Sequence, residues 1–85
     1  MNYTFYTMER QKNLKIAKLF SHNLRVLREK HKMSVIDLAD KCNVTRQTIY
    51  NLENGSLPKP PQLEALCKVF KIEEHELYQL NTKSE

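Results

Sequence analysis

Glycine is nearly missing from this chain. One glycine and three prolines in 85 residues leave too few turn formers for an all-β fold, whose hairpins lean on Gly, Asn and Asp. No stretch approaches the ~18 consecutive apolar residues of a membrane span, and no secretory hydrophobic core follows the first residues. Two cysteines, Cys42 and Cys67, make neither a disulfide framework nor a complete zinc site. His22, His31 and His75 have no ligand spacing with one another or with either cysteine. The expectation is a reduced, cytoplasmic protein with no metal and no cofactor. A chain this short forms one small core, too small for an elaborate pocket. Asp37 and Asp40 have no nucleophile or pocket to work with and read as helix-dipole and solubility residues. No enzyme is expected.

What is present is charge, unevenly placed. The net charge is +4, but residues 1–34 carry +6, residues 35–61 are neutral and residues 62–85 carry −2. A basic end implies a polyanionic partner, although lysines on amphipathic helices also simply keep a surface solvated.

Apolar spacing is helical throughout. Leu14, Ala17, Phe20, Leu24 and Leu27 recur every three, four or seven residues, predicting a helix over about residues 10–31 with a break near Ser21-His22-Asn23. Ser34 with Asp37 three residues on fits a capped helix start. The helix it opens, about residues 35–41, ends near Asn43, a residue that tolerates positive φ. Thr45 is a second N-cap, opening a helix over about residues 46–53 that Gly55 stops. Two short helices across a tight turn make a helix-turn-helix pattern. Pro61 suits the first turn of a further helix with a Leu63, Leu66, Cys67 and Phe70 stripe, and a last helix is expected over about residues 74–80. The fold class is all-α, a bundle of five helices.

Four pieces then combine: Ser34-x-x-x-Leu38-Ala39; Val44-Thr45-Arg46-Gln47-Thr48-Ile49; Leu52-Glu53-Asn54-Gly55; and Pro60 with the Leu63/Leu66/Phe70 stripe. Together, over about residues 20–80, they resemble the Cro/phage-repressor (Xre) class of DNA-binding domains. The resemblance implies domain limits: a helical arm or extension at 1–19, the DNA-binding domain at 20–80 and a frayed tail at 81–85. By position, Arg46, Gln47, Thr48 and Asn51 resemble base-reading sites, and Ser34, Asn54, Ser56 and Lys59 resemble phosphate contacts. Arg25, Lys30 and Lys32 are further phosphate candidates by charge alone. Arg28 and Glu53 align with an ion pair that ties the first helix to the end of the reading helix. The chemistry agrees: arginine bridges guanine O6 and N7, and Gln or Asn bridges adenine N6 and N7.

The implied function is a repressor or autoregulator acting as a homodimer on a palindromic operator in double-stranded DNA. One alternative is an antitoxin that binds a toxin protein and regulates its own operon; another is an RNA-binding or transcription-complex adaptor with the same fold. Leu77, Tyr78 and Leu80, or the N-terminal helix with Tyr3, Phe5 and Tyr6, are candidate dimer surfaces. Several residues depart from the family pattern. Val35 and Ile36 are apolar where polar residues are common, and Glu73 replaces a better N-cap. Lys32, Asn43 and Lys71 stand where the family often has glycine. A left-handed lysine costs roughly 1–2 kcal/mol, so those helix ends are expected to take a different geometry. Cys67 is expected in the core, and Cys42, in the turn, is read as a packing residue as well.

Overall fold

The computed structural model describes residues 3–79, with side chains from Leu14 onward. The expected frayed tail at 81–85, Leu80, and the side chains of Tyr3, Phe5 and Tyr6 lie outside the described residues. The described residues form α1 (Tyr3–Lys30), α2 (Val35–Cys42), α3 (Arg46–Leu52), α4 (Pro60–Phe70) and a 3₁₀ turn (Glu74–Leu77), with no strand among them. The all-α architecture stands, but the α-helices number four, not five.

The expected fifth helix closes after one turn for a physical reason. Tyr78 N–H bonds the His75 carbonyl in the i+3 pattern of a 3₁₀ turn. The Asn23 amide of α1 then donates to the carbonyls of Leu77 and Gln79, at 3.0 and 2.9 Å. These bonds tie the residues that follow the turn to α1.

The expected break in α1 is also absent. Ser21 and Asn23 are buried, and their polar groups bond other elements while the α1 ladder runs on. A polar cluster inside an apolar pattern here marks contacts between helices. Leu14, expected on the core face, is 56% exposed, and Ala17 is the first buried residue among the described side chains of α1. The 28-residue helix is about 42 Å long at ~1.5 Å per residue.

Phe20, Leu24, Leu38, Ala39, Cys42, Ile49, Leu52, Leu66, Phe70 and Leu77 form one buried cluster joining every element. Leu77, a candidate for a dimer surface, is fully buried in this cluster, and Tyr78 packs its ring 5.5 Å from Phe20. Cys42 is buried in the core, and Cys67 is half-buried and packed against it. Burial pushes both thiols above their ordinary pKa, with Glu73, Glu74 and Glu76 adding to the effect at Cys67.

The helix ends correct a further expectation. Lys32, Asn43 and Lys71 all take left-handed φ, at 57°, 58° and 58°. Each is followed by an apolar residue whose N–H reaches back five positions: Met33 to Arg28, Val44 to Ala39 and Ile72 to Cys67, at 3.0, 3.0 and 3.1 Å. This is the Schellman arrangement. Met33, Val44 and Ile72 also pack against the core, which offsets the strain that lysine would otherwise meet.

The start of α2 follows the sequence. Ser34 Oγ accepts the Asp37 N–H at 3.0 Å, and Asp37 Oδ2 accepts the Ser34 N–H at 3.1 Å. Those bonds hold the Asp37 carboxyl below its ordinary pKa, the backbone bond contributing most. A lowered native pKa means the cap is intact above the unfolded value of about 3.9 and weakens as pH falls through the native one. NMR titration is expected to show Ser34 N–H protection declining only at that acid limit; Ser34→Ala, which keeps this backbone donor, is expected to leave most of the pH effect, and Asp37→Asn to remove it.

Candidate nucleic-acid interface

Seven residues, Arg46-Gln-Thr-Ile-Tyr-Asn-Leu52, make α3. Ile49 and Leu52 point into the core, and Arg46, Gln47, Tyr50 and Asn51 are exposed. Thr48 is half-buried. The outward face therefore carries long hydrogen-bonding side chains and no acid. Thr45 caps the start, its Oγ1 accepting the Thr48 N–H at 3.1 Å. The two threonine hydroxyls also bond each other at 3.0 Å, so the Thr48 side chain is committed to the cap. Gln47 Nε2 donates to Asn51 Oδ1 at 3.0 Å. Among the described residues, no side chain pairs with Arg46.

The other end of α3 is fastened by α1. Ser21, Arg25 and Arg28 lie at i, i+4 and i+7 and share one face of that helix. Ser21 Oγ donates to the Leu52 carbonyl at 2.6 Å and accepts the Gly55 N–H at 2.9 Å. Arg25 Nη2 donates to the Glu53 carbonyl at 3.2 Å. Arg28 Nε donates to Glu53 Oε2 at 2.7 Å, and its Nη2 to Oε1 at 3.2 Å, a forked pair. Arg28 Nη1 also donates to the Met33 carbonyl at 2.9 Å, tying the end of α1 into the same network. The bond to Glu53 raises the Arg28 pKa, against burial, which lowers it. Arg28 and Glu53 side chains are 15% and 5% exposed, whereas Arg25 is 51% exposed.

Sequence reasoning paired Arg28 with Glu53 but missed Ser21 and the carbonyl bond of Arg25. The available signal was the shared helical face of the three residues.

Gly55 follows at φ 109°, a conformation that side chains rarely adopt, with open space where a Cβ would stand. Backbone conformation, not crowding, selects glycine here.

The four phosphate candidates sit at helix starts and in the segment after α3. Ser34 and Lys59 are the exposed N-caps of α2 and α4, and the Lys59 N–H bonds Gln62 Oε1 at 3.0 Å. Asn54 Nδ2 turns back to the Tyr50 carbonyl at 2.7 Å. Ser56 is exposed, its N–H held by the Asn51 carbonyl at 3.0 Å. Val35 is half-buried against the core, whereas Ile36 beside it is exposed. No group of three or more metal-ligating residues occurs among the described residues, and no described helix is long and apolar enough to cross a membrane.

Residues 24–77 match the family model for helix-turn-helix domains. Comparison with curated proteins finds no match.

Proposed function

The chain belongs to the Xre/Cro-type helix-turn-helix family of DNA-binding regulators, and from that premise we propose that it is a sequence-specific repressor or autoregulator that inserts α3 into the major groove. One observation carries this reading: α3 offers Arg46, Gln47 and Asn51 outward, on an acid-free face, while both its ends are held by side chains. The B-DNA major groove admits a single helix, and these side-chain types match base edges there. Arg46, Gln47 and Asn51 are the proposed base readers. Thr48, engaged by Thr45, reaches a base or phosphate at the start of the helix. Ser34, Asn54, Ser56 and Lys59 are the proposed phosphate contacts, which set register without reading sequence.

A homodimer on a palindromic operator completes the proposal. Single modules bury only about 600–1,000 Å² on DNA, so a second copy, acting at high effective concentration, supplies the missing affinity. One observation favours a second reading, the antitoxin: the long helix α1 leaves Leu14 exposed for a protein partner.

Selection of duplexes from a random pool tests the proposal. The expected result is a half-site repeated about one helical turn away. Arg46→Ala is expected to relax one position and to cost roughly 1–3 kcal/mol on the selected site. Uniform weakening on every sequence would make Arg46 a phosphate contact, and no selected motif at all would sink the reading. A chain that purifies in fixed ratio with a second small protein instead supports the antitoxin.

A further inference from the structure

The bond from Gln47 to Asn51 has consequences for which bases each can read. Both residues are exposed, so neither needs this bond to satisfy a buried group. Their backbones are fixed: α3 begins at the Thr45 cap, and the Asn51 carbonyl accepts N–H groups from Asn54 and Ser56, both at 3.0 Å. The amides are thus held by each other on a rigid base.

The direction of the bond fixes what is left over. Gln47 gives one Nε2 hydrogen to Asn51 Oδ1, keeping its second hydrogen and Oε1. One donor and one acceptor match the N7 and N6 edge of adenine. Asn51 has its oxygen turned toward Gln47 and keeps both Nδ2 hydrogens. An unheld asparagine would take adenine through Oδ1 and Nδ2 together. A held one presents donors, and the edge with two acceptors and no donor is guanine O6 and N7. Four residues of helix rise about 6 Å, which sets the two amides within about two base pairs of each other.

We infer that Gln47 and Asn51 read DNA as one coupled pair, Gln47 taking adenine and Asn51, its oxygen engaged by Gln47, taking a neighbouring guanine. This rests on the placement of α3 in the major groove and assigns a preference that neither residue type has alone.

The test is duplex selection by the full chain and by Gln47→Ala, Asn51→Ala and the double variant, followed by binding titrations. Circular dichroism is expected to show all four folded, because both side chains are exposed. Gln47→Ala is expected to relax the adenine position and also to release Asn51, turning the guanine position toward adenine by roughly tenfold in relative affinity. On the wild-type site the two single losses are expected to be non-additive by roughly tenfold. If Gln47→Ala relaxes only its own position and the guanine preference persists, the coupling is wrong while α3 still reads bases. If no variant alters any position and all bind every duplex more weakly, α3 is not a reading helix, and the pair falls with it.

Discussion

Glu53→Ala is expected to lower the melting temperature by more than ~12 °C, a loss of about 3–5 kcal/mol in a domain of this size. The reason lies in what remains. The guanidinium of Arg28 is only 15% exposed and makes two of its three bonds to the Glu53 carboxylate. Removing the acid leaves a part-buried cation with the Met33 carbonyl alone. An exposed ion pair would be worth under about 1 kcal/mol, and Arg25, half in solvent beside the same carboxylate, belongs to that class. Arg25→Ala is accordingly the small-effect comparison.

The pair as a whole need not add much stability, because desolvation offsets most of the attraction. Replacing Arg28 and Glu53 together by methionine is therefore expected to recover much of what either single change loses. Thermal melts of the singles and the double form the cycle. Additive losses would mean that the two side chains act independently and that the network does not orient α3.

The sequence made this pair legible because it is carried by a family motif at fixed spacing. It made the reading face legible too, since Ile49 and Leu52 fix one side of α3 and leave the rest outward. What it hid follows a common cause. Periodicity reports which residues are apolar, not what a buried polar residue bonds. Ser21 and Asn23 therefore read as a helix break, although they are α1's links to α3 and to the 3₁₀ turn. Leu14 fits the core period but stands exposed. The left-handed conformations of Lys32, Asn43 and Lys71 carry no glycine to mark them. The better signal was the apolar residue after each of the three, Met33, Val44 and Ile72, which anchors the helix end. The fifth helix is a single 3₁₀ turn, and the residues that end it are held to α1 by Asn23, more than fifty positions away, a contact that no local pattern reports.

Ser21→Ala is the second large expected effect, and it separates packing from hydrogen bonding. The Ser21 hydroxyl is at once donor to Leu52 and acceptor from Gly55, so it closes the C-terminal end of α3 where α1 crosses it. Without it, a buried carbonyl loses its partner, at a cost of about 1–3 kcal/mol. The consequence reaches the proposed interface, because Asn54 and Ser56 flank the released Gly55. Melts are expected to show the lost stability. Binding titrations at a temperature where the variant is fully folded are expected to show weaker affinity on all duplexes, with the selected motif unchanged, since the reading face keeps its own cap at Thr45. Ser21→Thr and Ser21→Val share one shape, a methyl larger than serine, and differ in that only threonine keeps the hydroxyl. If valine is as stable and binds as well as threonine, the hydroxyl was only occupying space. If threonine is better on both counts, the two hydrogen bonds hold the end of α3 in its register against the phosphates.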